Sequence, residues 1–160
     1  MLIISKKEVI NIDIISEVSF NKWKSIADES QNATFFSTPE WAQVLAQTFD
    51  YKIKTHLFRF EDGQEVLLPL VKIKQDCISV PFYNYGGFIS KAEISGEHIA
   101  QMLSLLKKEK HTIVICSNPF SRVSLPDGLA KEPYFTHILT LNMPIEDIKN
   151  GFQDNCLRAI

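Results

Sequence analysis

Cysteine is scarce in this sequence: Cys77, Cys116 and Cys156 are odd in number, widely spaced and without any C-x-x-C or H-x-E companion. The pattern argues against a disulfide framework, a zinc site or a redox pair, so no metal is expected and a reducing cytoplasm is the compartment that fits. Clustered positive charge is also missing. The formal net charge is -2, and only Lys6-Lys7 and Lys107-Lys108 are adjacent basic residues. No stripe exists that would displace counterions from phosphates, so DNA is not an expected partner. A long apolar run is absent too, because Glu8, Asn11 and Asp13 interrupt the apolar start before a signal-peptide core or membrane span can form. Internal repeats and low-complexity linkers are lacking, which leaves one globular domain as the default.

What remains is an ordinary globular composition, 45% hydrophobic over 160 residues, enough for one sizeable core. A strand over Val9 to Ile15 leads to a helix over Phe20 to Glu29, with Ser19 as its cap and Phe20, Trp23, Ile26 and Ala27 at helical spacing. A second helix opens with Thr38 as N-cap, Pro39 at the first helical position and Glu40 in the first turn. It ends near Phe49-Asp50, and Trp41, Val44, Leu45 and Thr48 define its apolar face. From Tyr51 the period becomes two, a turn falls at Glu61 to Gln64, and a return strand runs from Glu65 to Lys74. Pro69 suits an edge or bulge of that strand better than its centre. A third strand from Cys77 to Pro81 closes a meander before Tyr83-Asn84-Tyr85-Gly86-Gly87 turns the chain.

Ser95 begins a third helix, with Ile99, Met102, Leu103 and Leu106 along one face and Lys107, Lys108 and Lys110 near its negative end. Thr112 to Cys116 reads as a strand buried on both faces, Tyr134 to Leu141 as another, and Pro144-Ile145-Glu146 as the opening of a short helix towards Phe152. The last residues, Asn155 to Ile160, have the look of a helix begun without cap or polar finish, and a truncated chain is the expectation.

Four segments carry a family resemblance, in order along the chain. Ala33-Thr34-Phe35-Phe36-Ser37-Thr38-Pro39-Glu40-Trp41, with Tyr51-Lys52 one helix later, is the first. Leu67-Leu68-Pro69-Leu70-Val71 is the second, and Ser79-Val80-Pro81-Phe82-Tyr83-Asn84-Tyr85-Gly86-Gly87 the third. Thr136-His137-Ile138-Leu139 with the helix at Pro144 and Leu157-Arg158-Ala159-Ile160 completes the series. Together they resemble the N-terminal half of FemAB-like acyltransferases of the GNAT superfamily. The resemblance implies an α+β fold of three-layer type, a mixed and mostly antiparallel sheet flanked by helices. It places a GNAT-like domain over residues 1–152 and the start of a helix leading to a second, missing GNAT-like domain over 153–160.

Such proteins transfer an aminoacyl or acyl group to an amine of a peptidoglycan precursor or envelope polymer. An aminoacyl-tRNA or acyl-CoA donor would then be met only through the second domain, and this half would bind the acceptor without catalysing. No cofactor is expected in this chain. The stretch Phe88 to Gly96, where an acetyl-CoA-binding GNAT domain needs a glycine-rich loop for pyrophosphate, has one glycine at its end and Glu93 within it. A stand-alone acetyl-CoA-dependent acetyltransferase is accordingly the least favoured reading. A non-enzymatic module that associates with itself through an incomplete sheet is the alternative.

Candidate acceptor-binding residues are Phe36, Trp41, Tyr83, Asn84, Tyr85 and Arg158. The aromatic rings suit the apolar faces of sugars, although Trp41 fits core packing between helix and sheet better, and Phe36 equally suits a hydrophobic staple. Tyr83, Asn84 and Tyr85 present phenol and amide groups at a glycine-ended turn. Arg158 matches one arginine of the family's Arg-Arg-x-Ile pattern, where a guanidinium can grip phosphate or carboxylate. Leu157 stands in place of the other arginine, which weakens such a clamp. His56, His98, His111 and His137 show no Ser, Cys or Asp partner at a recognisable spacing, so each reads as structural and no catalytic residue is assigned.

Overall fold

The computed structural model describes residues 12–79, 81, 85–118, 129–132 and 142–151. It falls into two compact units, Met1–Asp127 and Gly128–Ile160. Within the first, β1 (Ile12–Ile15) precedes α1 (Phe20–Glu29), a 3-10 turn (Phe35–Ser37) and α2 (Pro39–Phe49). Then follow β2 (Lys52–Ile53), β3 (His56–Phe60), β4 (Glu65–Leu68), β5 (Val71–Ile73), β6 (Asp76–Ile78), β7 (Ile89–Ser90), α3 (Gly96–Leu106) and β8 (Ile113–Val114). The second unit contributes α4 (Ile145–Asn150), which Pro144 introduces as expected. The described fold is α+β. Its two four-stranded sheets run β1-β3-β4-β7 and β2-β5-β6-β8, antiparallel except for the β6 and β8 pair.

The helices begin where their capping residues dictate. Ser19 Oγ accepts from the Lys22 amide at 3.3 Å and Thr38 Oγ1 from the Trp41 amide at 3.3 Å, each satisfying an orphan donor of the first turn. Asp50 ends α2 in the left-handed conformation, with φ of 54°. The apolar face of α2 differs from the one expected. Ala42 and Leu45 are buried, whereas Val44 is 45% exposed and Trp41 only half-buried. The Trp41 ring is drawn aside onto the preceding 3-10 turn, so the helix meets the core along Ala42 and Leu45 instead.

The expected hairpin forms, with a refinement at Pro69. Ile53 faces Val71 and His56 faces Leu68 in one unbroken register, so Thr55 stands opposite Pro69. Proline lacks the amide hydrogen that would face the strand's other neighbour, that neighbour changes from β7 to β6 across it, and what reads as one return strand becomes β4 in the first sheet and β5 in the second. On the hairpin side the Lys54 amide donates to Leu70 O at 2.8 Å, so Thr55 and Pro69 form a pair whose amides point away from each other. At the tip, Gly63 takes φ of 85°, a value that glycine adopts without strain, and Gln64 N–H donates to Asp62 Oδ1 at 2.9 Å.

The first sheet buries both faces. Leu57, Leu67 and Ile89 pack with Trp23, Ile26 and Ala27 of α1 and Ala42 of α2. From β3 the alternate residues Phe58 and Phe60 are also buried, and the Phe60 ring lies 4.3 Å from that of His98 in α3. Strand β8 corrects a second expectation. Its apolar run suggested burial on both faces, yet Val114 is 42% exposed, because among the described residues β8 pairs on one side only, with β6. The anticipated strand at Tyr134 to Leu141 and the helix start at 153–160 lie outside the described residues.

The corrected face of α2 is open to test. Leu45→Ala should cost about 2–5 kcal/mol of stability in urea unfolding, and Val44→Ala no more than about 0.5 kcal/mol. The opposite order would restore the sequence-derived face.

Candidate functional site

The Phe35–Ser37 turn is pinned by hydrogen bonds from its surroundings. Trp23 Nε1 donates to Ser37 O at 2.8 Å in a buried contact, and Ser37 Oγ accepts from the Thr34 amide at 3.4 Å. Thr34 Oγ1 donates to Tyr85 O at 3.4 Å, tying the turn to the segment before β7. Just upstream, Asn118 Nδ2 donates to Asn32 O at 2.9 Å. The polar side chain of Asn118 is thus buried with a partner, as burial requires.

On this base the rings gather. Phe36 and Trp41 centroids are 5.5 Å apart at 73°, Phe35 and Trp41 5.6 Å at 54°, and Phe36 and Tyr85 6.5 Å at 73°. These are tilted and edge-to-face arrangements that the ring quadrupoles favour. The result is an aromatic wall whose outer member, Phe35, is 60% exposed. Behind it lies a recess lined by Trp23, Phe36, Trp41, Pro69, Leu70 and Ser79. It has room for about one water molecule, so a larger ligand would meet the outer faces of the rings. Trp41 Nε1 is buried without a hydrogen-bond partner among the described residues, an arrangement that leaves one donor unsatisfied.

Of the sequence-derived candidates, Phe36, Trp41 and Tyr85 are brought together, while Tyr83, Asn84 and Arg158 lie outside the described residues. Phe35 joins them without having been singled out. Its place beside Phe36 gave no sign, because only the tight 3-10 turn directs both neighbouring rings towards Trp41.

A second group of polar side chains gathers around one of the histidines. His98, in the first turn of α3, has both a serine and an aspartate partner. Ser95 Oγ lies 3.0 Å from His98 Nδ1, and Asp62 Oδ2 lies 3.0 Å from His98 Nε2. Asp62 comes from the tip of the β3 and β4 hairpin, so no linear spacing reveals the group. Its carboxyl is held below the usual range first by the Gln64 amide, with a smaller contribution from His98.

His56 is buried near the point where the two sheets part, with Nδ1 unpartnered among the described residues. Burial lowers its pKa, Glu109 opposes the shift and Lys54 adds to it. Burial likewise raises the Cys77 thiol, which makes it a poor nucleophile. Among the described residues no group of three or more His, Cys, Asp or Glu is placed to hold a metal ion, and no helix is long and apolar enough to cross a membrane.

Compared with family models, with curated proteins and with solved structures, the chain gives no match in any of the three.

The buried imidazole of His56 sets a pH dependence. Its folded pKa lies below the unfolded value of about 6.5, so between the two the unfolded chain binds more protons and stability rises with pH. Stability is therefore full above about 6.5 and falls as the solution is acidified below it. Urea unfolding across this interval should show a shallower pH slope in His56→Leu than in the unaltered chain. Equal slopes would remove His56 as the cause.

Proposed function

We propose that this chain is the acceptor-binding half of a FemAB-like N-acyltransferase with a GNAT-like core, acting on an amine of a peptidoglycan precursor or envelope polymer in the cytoplasm. The observation that carries the reading is the aromatic wall. Phe36 and Trp41 come from the segment that bears the first family resemblance, and Tyr85 comes from the third. Tyr85, distant in sequence, is thus held on one surface with Phe36 and Trp41 by the contacts of Trp23, Thr34 and Ser37. Aromatic faces exposed in this way pack against the C–H faces of a pyranose ring, and buried anchors beneath them limit the entropy lost on binding.

The order of strand, helices, meander, helix and parallel strand supports a GNAT-like core, while the described strands form two sheets where the resemblance implies one. The aminoacyl-tRNA or acyl-CoA donor is assigned to a second domain, so amine acylation requires more than this chain. Transfer itself asks chiefly for positioning, a base for the ammonium proton and stabilisation of the oxyanion. The wall supplies positioning alone.

A second reading rests on a different observation. Ile53 on β2 and Val114 on β8 are 41% and 42% exposed on the two outer strands of the second sheet. Such edges can pair with another copy, and concentration-dependent association in light scattering would favour this module reading.

The acceptor reading predicts that a muropeptide with a free amine binds in calorimetric titration. Trp41→Ala should weaken that binding about tenfold, or ~1.4 kcal/mol, while Val44→Ala leaves it unchanged. Amine acylation by the chain alone, with aminoacyl-tRNA or acyl-CoA supplied, should be undetectable. Absence of binding, or robust turnover by the single chain, overturns the proposal.

A further inference from the structure

We propose that Asp62, His98 and Ser95 form a hydrogen-bonded relay that makes the Ser95 hydroxyl an acyl-accepting nucleophile towards small activated esters. This activity is separate from the acceptor site and does not rest on it. The geometry supplies the parts in turn. The Ser95 amide donates to His98 Nδ1 at 3.4 Å, so that nitrogen carries a lone pair and Nε2 carries the hydrogen that points to Asp62 Oδ2. This tautomer is the one a general base needs, and the same lone pair, shared with the Ser95 amide in a capping box, lies 3.0 Å from Ser95 Oγ. The ring is held from two further sides: its side chain is only 9% exposed, and the Phe60 ring lies 4.3 Å away. Asp62 is itself fixed by the Gln64 amide at 2.9 Å. It acts as a positioning residue, through His98.

Ser95 stands at the N-cap of α3, where the Gly96 and Glu97 amides have no carbonyl one turn earlier to bond. They are available to an oxyanion on the carbon that Ser95 attacks. The approach is open, since a Cβ built on Gly96 would meet no atom within 4 Å. Ser95, Gly96 and Glu97 are all exposed. The Glu97 carboxylate in the same turn opposes negative charge there. The site therefore suits esters whose leaving group is weakly basic, such as aryl esters.

The step balances without a co-reactant. The Ser95 Oγ–H proton passes to His98 Nδ1 as the bond from Oγ to the carbonyl carbon forms. The carbonyl then re-forms with loss of the aryl oxide, and His98 returns the proton to solvent or to that leaving group. Water attacks the acyl-serine more slowly: His98 takes its proton and passes it to Ser95 Oγ as the ester bond breaks, releasing the carboxylic acid.

Ser95 also caps the helix, accepting from the His98 amide at 3.2 Å, so the test must separate the cap from the nucleophile. The full chain is treated with p-nitrophenyl acetate, release of nitrophenolate is followed, and the acetylated residue is located by peptide mass spectrometry. The expected result is one acetyl group per chain on Ser95, absent in Ser95→Asn, which keeps a capping oxygen and shows an unchanged unfolding midpoint. His98→Gln should slow acetylation about a hundredfold, the low end of general-base effects. Asp62→Asn keeps the turn acceptor and should slow acetylation while shifting the nitrogen NMR signals of the His98 ring towards the other tautomer. Acetylation confined to lysines, or rates in Ser95→Asn or His98→Gln equal to the unaltered chain, overturns the proposal.

Discussion

Proline brings no amide hydrogen to a ladder, and at position 69 the missing donor falls on the side of the strand where its neighbour changes from β7 to β6, the point at which the two sheets part. The hairpin from Lys52 to Ile73 keeps a single register on both sides of that point, yet its two halves belong to different sheets. One half, β3 and β4, is buried on both faces. The other, β2 and β5, begins a sheet that ends on exposed strands. Pro69 and Leu70 also line the recess behind the aromatic wall, and Thr55, opposite Pro69, has a buried hydroxyl without a partner among the described residues. The point where the sheets part therefore borders the candidate site and has that side-chain hydroxyl beside it.

The hairpin links the two chemically interesting regions without merging them. Its Pro69 end lies against the recess, while its tip carries Asp62 to His98 at the start of α3. The wall presents apolar ring faces held by buried hydrogen bonds. The relay presents an exposed hydroxyl backed by a buried imidazole. The ligands proposed for them differ, an extended glycan or peptide surface in one case and a small activated carbonyl in the other.

Much of the local structure was legible in the sequence, because capping chemistry acts over three or four residues. Ser19, Thr38 with Pro39, and Ser95 mark helix starts that the structure reproduces. The hairpin turn followed from Asp62-Gly63 for the same reason. Burial was harder to read, since it depends on partners remote in sequence. Val44 lies on an apolar stripe but faces outwards because Trp41 is held by the 3-10 turn, and the apolar β8 is an outer strand among the described residues. Phe36, Trp41 and Tyr85 were recognised one by one through residue type and family resemblance. Phe35 and the Asp62, His98 and Ser95 group were not, because their meaning arises from tertiary approach between a hairpin tip and a helix start.

The register of the central hairpin also implies an order of assembly. The pairs β3 with β4 and β5 with β6 join neighbours along the chain, so they close short loops at small entropic cost. By contrast β1 must cross two helices to reach β3, and β8 must return past β7 and α3 to lie parallel with β6. The meander is thus the expected nucleus, and the peripheral strands are expected to pair after it.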